Sequence, residues 1–203
     1  MRKTRIAVLV SGGGTNLQAL LDAQRREELN SGEVALVISD RPGAYALERA
    51  AKAGVPAMEI NRKECGGREA FEARLNAALN EAGAELIVLA GFLSILSPAF
   101  TAAWERRIIN IHPSLIPSFC GAGFYGLKVH EAALARGVKV TGATVHYVNE
   151  IPDGGEIIAQ KAVEIRPGDT PESLQRRVME EAEWILLPRA AETVCREMAE
   201  ARA

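Results

Sequence analysis

Short β-branched runs that alternate with longer stretches of helical spacing restrict this chain more than any other feature. RIAVLV (5–10), VALVIS (34–39), ELIVLAG (85–91) and RIINIH (107–112) read as strands, with PAMEI (56–60) as a weaker one. Between them, 17–29, 44–53 and 68–82 carry helical periodicity and good helix formers. Strand–helix–strand repetition predicts a parallel sheet with helices on both faces. The runs are apolar on both sides, as strands covered twice must be. Gly32, Gly54 and Gly83 fall where such helices stop.

Past residue 140 the pattern changes. TGATVHYV (141–148) alternates, and EIIAQKAVEI (156–165) follows after the turn PDGG, which predicts an antiparallel pair added to the sheet. The segment from Pro171 to about residue 201 is helical, with Thr170 as its cap and Pro171 in its first turn. Pro188 should kink or divide it. No internal repeat or linker interrupts the 203 residues, so one domain, 1–203, is expected. The fold class is α/β: a mostly parallel twisted sheet, helices on both faces, and a C-terminal antiparallel addition.

A net charge of -2 gives no general field for nucleic acid. Cys65, Cys120 and Cys195 are scattered without a CxxC pair, which predicts no zinc site and a reducing compartment. The apolar run IAVLV near the N-terminus is too short for a signal sequence, and no run approaches a membrane span. The cytoplasm, small-molecule partners and no metal are the expectation; no feature fixes an oligomeric state.

SGGGTN (11–16) joins the first strand to the first helix. Consecutive glycines let backbone amides approach a ligand, and the helix N-terminus adds partial positive charge, so an anion site, most naturally for one phosphate, is the functional reading. A tight β–α turn is the bland one. The loop lacks the Lys of a P-loop, and Leu17 stands where a dinucleotide fingerprint has its third glycine. Asp40, ending the second strand, keeps a ribose-binding acid and a nicotinamide enzyme open.

In IINIHPSLIP (108–117), Asn110 and His112 are two apart on a strand and face the same side, about 6.7 Å apart along the chain. Pro113 ends the strand there. An amide donor and a titratable imidazole at the carboxyl end of a parallel strand suit a carbonyl oxygen that gathers negative charge. A buried Asn and His satisfying loop carbonyls is the alternative. Asp153, in the turn IPDGG (151–155), is the carboxylate best placed to hold the imidazole and raise its pKa, or it is only a turn residue.

GGGTNLQALL, LAGFLSILSP, NIHPSLIPSF and DGGEII, in this order, resemble the formyltransferase family, and within it the phosphoribosylglycinamide formyltransferases, across essentially the whole chain. The resemblance implies a Rossmann-like sheet and transfer of a formyl group from 10-formyltetrahydrofolate to the amine of 5'-phosphoribosylglycinamide in purine synthesis, without a metal. It implies that Gly14, Thr15, Asn16 and Glu183 bind the ribonucleotide. Arg68, Leu93, Ser94, Ile95, Leu96, Asn110, Asn149 and Asp153 are the implied folate residues, and Asn110, His112 and Asp153 the implied catalytic trio. Three departures stand out. Glu183 is followed by Trp184 where the family has His, and the segment before it is one residue longer. Ser94 replaces an Arg of several relatives. The loop 118–130 is longer than in some of them. His130 and His146 read as capping or packing residues, and Cys120 as incidental. The HPSLIP motif is shared with methionyl-tRNA formyltransferases and formyltetrahydrofolate hydrolases; the former should add a C-terminal RNA-binding domain and the latter an N-terminal regulatory one, neither of which is expected here. A phosphate-binding sensor without folate dependence is the non-enzymatic alternative.

Overall fold

The computed structural model describes residues 2–202. Seven strands form one sheet: β1 (Thr4–Val10), β2 (Gly32–Ser39), β3 (Ala57–Glu59), β4 (Leu86–Leu89), β5 (Ile108–His112), β6 (Val140–Tyr147) and β7 (Ile157–Glu164), in the order β3-β2-β1-β4-β5-β6-β7. β1 to β5 run parallel, whereas β6 pairs antiparallel with both β5 and β7. The predicted class and the antiparallel addition are both present.

The two-residue alternation of a strand sorts the sheet's side chains into two cores. Ile6, Val8 and Val10 of β1 meet Leu17, Leu20 and Leu21 of α1 (Thr15–Arg25) and Leu187, Ala191 and Val194 of α7 (Trp184–Glu200). Ala7 and Leu9 face the other way, toward Phe71, Leu75 and Leu79 of α3 (Arg68–Glu81) and Phe100 of α4 (Pro98–Ala103). β5 obeys the same rule: Ile109 and Ile111 enter the first core and Ile108 the second. Asn110 and His112 therefore share the face of Ile108, as their spacing predicts.

Strand order reverses between β1 and β4, each of which is followed by a loop at the same sheet edge. In an open parallel sheet the ligand crevice opens at such a switch point. The loops after β1 and β4 touch there: the Leu93 N–H donates to Ser11 Oγ at 2.8 Å.

Two local expectations are corrected. Gly32 does not end a helix. α1 stops at Arg25, Glu27 takes a left-handed turn (φ 59°), and Gly32 opens β2. A Cβ at Gly32 would lie 2.7 Å from Cys195 Sγ and 2.8 Å from Ile6 Cδ1, so close packing of α7 requires the glycine there. Pro188 does not divide the last helix either. Helical structure runs through it, and the irregularity lies one turn earlier, in a π turn over Met179–Glu183 that separates α6 (Pro171–Val178) from α7. Thr170 caps α6 as expected: its Oγ1 accepts from Ser173 N at 3.2 Å, and Ser173 Oγ accepts from Thr170 N at 2.9 Å. Among the described residues no helix is long and apolar enough to cross a membrane.

Candidate active site

Gly12 and Gly13 take no positive φ, and a Cβ on either would meet nothing within 4 Å. The protein's own packing therefore does not demand glycine at these two positions. A ligand lying against the backbone would. Gly14 differs: its φ is 72°, and a Cβ there would sit 2.6 Å from Ala46 Cβ. A left-handed corner of this kind turns successive N–H groups into an anion-binding concavity at the start of α1.

Asn16 and Glu183 meet beside this loop. Asn16 Nδ2 donates to Glu183 Oε2 at 2.6 Å, and both residues are buried. Desolvation pushes the Glu183 carboxyl up to about 6 against the Asn16 hydrogen bond that pulls it down. Asn16 Oδ1 is buried without a protein partner. Glu183 ends a π turn over Met179–Glu183, and π turns recur where a helix shapes a site. Thr15 contributes a contact of its hydroxyl with Met179 Sδ at 3.9 Å.

The trio converges. His112 Nδ1 lies 3.4 Å from Asp153 Oδ2, and Asn110 Nδ2 donates to Asp153 Oδ1 at 3.4 Å. Asp153 reaches this point because the turn before β7 bends sharply: Asp153 has φ 56°, a conformation Asp tolerates better than most residues, and a Cβ on Gly155 would strike the Tyr147 carbonyl oxygen. The Gly121 N–H donates to Asp153 Oδ2 at 2.8 Å. β5 lies two strands from β1, about 10 Å across the sheet, so the trio and the glycine loop flank one crevice.

His146 belongs to the same cluster, although capping or packing was its expected role. It pairs directly with Asn110 across β5 and β6. Its Nδ1 donates to the Tyr147 carbonyl at 2.8 Å, and its Nε2 lies 3.1 Å from Asn110 Nδ2 and 3.5 Å from Asp153 Oδ1. The signal lay in the alternation of TGATVHYV, which sets His146 on one face of a strand, but only the register places it opposite Asn110. His130, in α5 (Leu127–Arg136), is fully buried with neither ring nitrogen bonded. Burial, and secondarily the neighbouring His112, push it down to about 4, so it caps nothing and packs as a neutral ring.

Electrostatics modifies one expectation. Burial would raise Asp153, but the hydrogen bond with His146, the charge of His112 and the Gly121 N–H together hold its carboxyl below the usual range. Burial lowers His112, and the upward pulls of Asp153 and the Phe119 carbonyl do not restore it. Asp153 thus raises the imidazole in its own contribution but not in the sum. A carboxylate beside a neutral imidazole is the resting pair near neutral pH. His112 Nε2 donates to the Phe119 carbonyl at 2.9 Å, a contact supplied by the 118–121 segment.

A cavity of about 120 Å³ adjoins the trio. Leu89, Phe92, Ile95, Leu96, Val148 and Pro152 give it apolar walls, and Asn110, Asn149 and Asp153 line its polar side. Apolar walls with a few convergent polar groups suit a flat heteroaromatic ring. Ser94 also borders it, but its hydroxyl donates to Asp40 Oδ2 at 2.5 Å. That bond occupies Asp40, which is buried, and removes the accessible ribose acid a nicotinamide enzyme requires. Leu93 lies outside this cavity, on a neighbouring one of about 670 Å³. Arg68 is the exposed first residue of α3 and lines neither.

Residues 4–190 match the family model described as formyl transferase. The chain is 45% identical over 192 residues to the trifunctional purine biosynthetic protein adenosine-3 of Gallus gallus, covering 95% of this chain and 18% of that protein. It is 37% identical to the chloroplastic phosphoribosylglycinamide formyltransferase of Arabidopsis thaliana, with 89% of this chain and 62% of that protein covered. Thus the chain spans under a fifth of the first relative and under two thirds of the second. Among solved structures, glycinamide ribonucleotide transformylase 1 from Symbiobacterium toebii superimposes with a TM-score of 0.89 at 44% identity, over 96% of this chain and 89% of that one.

Proposed function

From the premise that the chain belongs to the formyl transferase family, we propose that it moves the formyl group of 10-formyltetrahydrofolate to the amine of 5'-phosphoribosylglycinamide. The observation that carries this reading is the convergence of Asn110, His112 and Asp153 within 3.4 Å contacts at a sheet edge shared with the glycine loop. The phosphate rests on Gly14, Thr15 and Asn16, and Glu183 turns its carboxyl to the ribonucleotide beside Asn16. The pterin occupies the cavity between Leu96 and the 149–153 segment, with Ile95 covering it. Residues 1–203 act as one formyltransferase domain in this reading, and a cytoplasmic setting suits three free cysteines.

The primary amine attacks the formyl carbon, the new C–N bond forms, and the carbonyl oxygen becomes an oxyanion. His112 Nε2–H transfers its hydrogen bond from the Phe119 carbonyl to this oxygen, and Asn110 turns one amide hydrogen from the long Asp153 contact toward it. Asp153 orients the imidazole, which keeps its own Nε2 proton throughout. The bond to the folate nitrogen then breaks, and that nitrogen takes the proton lost by the attacking amine. Holding two substrates in contact contributes up to about 7–11 kcal/mol in favourable cases.

The test is formyl transfer to the ribonucleotide by wild type, His112→Ala and Asp153→Asn proteins. Transfer by wild type and a drop of about 10²–10³ in turnover for the variants is the expected result. A His112→Ala protein that retained most of its turnover would refute the assignment.

A further inference from the structure

No lysine accompanies the glycine loop, yet a phosphate dianion has to be held there. The start of α2 (Tyr45–Lys52) lies directly behind the loop. The Ala46 N–H donates to the Gly12 carbonyl at 3.1 Å, and Arg49 Nε donates to the Gly13 carbonyl at 2.8 Å. In a trans peptide the C=O and the following N–H point in opposite directions. Drawing both carbonyls back toward α2 therefore aims the N–H groups of Gly13 and Gly14 away from it, into the crevice.

Arg49 is itself immobilised. Its Nη1 donates to Gln18 Oε1 at 3.0 Å on α1, and its guanidinium lies 5.0 Å over the Tyr45 ring. The acids of the same two helices are engaged elsewhere, Asp22 with Arg25 and Glu48 with Lys52. The positive charge is thus left uncompensated behind the loop, where an anion benefits from it.

We propose that Arg49 is a positioning residue for the substrate phosphate: it sets the glycine-loop amides toward the anion and supplies the cation that the loop lacks. This rests on the ribonucleotide reading above only for the identity of the phosphate's bearer.

The experiment compares wild type, Arg49→Gln and Arg49→Lys by calorimetric titration with ribose 5-phosphate and by steady-state kinetics with both substrates. A hydrogen bond from a charged donor predicts a rise of about 10- to 100-fold in the ribose 5-phosphate Kd and in the ribonucleotide KM for Arg49→Gln. The KM for the folate donor and kcat at saturation should stay within twofold, a split that a general loss of packing would not produce. Arg49→Lys retains the charge without the two-point geometry and should fall between the two. Unchanged ribose 5-phosphate affinity, or a parallel loss of donor affinity and kcat, overturns the proposal. If Arg49→Gln does not fold, the Lys variant decides: a Kd within twofold of wild type overturns it, and a severalfold rise supports it. Absence of formyl transfer by the wild type, with ribose 5-phosphate affinity still dependent on Arg49, removes the formyltransferase reading and leaves this one standing.

Discussion

Glu183→Gln should stabilise the fold while weakening the ribonucleotide site. The carboxyl is buried, and desolvation raises its pKa from the ordinary 4.5 to about 6. A raised carboxyl pKa means that the native state holds the proton more tightly than the unfolded chain. Below pH 4.5 both states are protonated and there is no penalty. Between pH 4.5 and 6 stability declines as pH rises, and above 6 the loss is complete. At 1.36 kcal/mol per pKa unit, this separation is worth about 2 kcal/mol. Gln cannot ionise and retains an oxygen for Asn16 Nδ2. In a chain of this size the gain corresponds to about 4–8 °C in Tm. Calorimetric melts of both proteins from pH 4 to 8 give the answer, because other titrations cancel in the difference. The Tm gap should open between pH 4.5 and 6 and stay constant above. A gap independent of pH, or a Glu183→Gln protein less stable at pH 8, would refute the assignment of a desolvated carboxylate.

Three further outcomes follow from the geometry. Gly12→Ala should melt within about 1 °C of wild type, since its Cβ meets nothing, yet lose ribonucleotide binding at least tenfold by titration. Ser94→Ala leaves Asp40 without its buried donor and should cost about 1–3 kcal/mol in denaturant unfolding, with kcat unchanged. Asp153→Asn removes the charge that pulls His112 upward, so the limb of the kcat/KM pH profile assigned to His112 should move to lower pH; a shift to higher pH contradicts the pairing.

Periodicity carried the layers and the facing of β5, because alternation in a doubly covered strand is dictated by the two cores it serves. Gly54 and Gly83 were legible as helix ends for the same local reason, and both take left-handed conformations. Gly32 was not, since its demand comes from Cys195, 163 positions along the chain (195 − 32). His146 was read as a capping or packing residue, because its place beside Asn110 follows from pairing register, which no single-strand pattern encodes. The coupling of burial and charge at His112 was likewise invisible: sequence supplies the partner Asp153 but not the desolvation that outweighs it.

Inserting one residue into an α-helix rotates everything after it by about 100°, enough to swing an apolar stripe off its sheet. The bulge at Met179–Glu183 swallows that rotation, so Leu174 and Val178 before it and Leu187, Ala191 and Val194 after it all press on one core. Side-chain chemistry at the end of this segment beside Asn16 is thereby uncoupled from the cover of the sheet. A change at Trp184, which lines a cavity with Thr15, can retune what that cavity admits while the foundation beneath stays in phase.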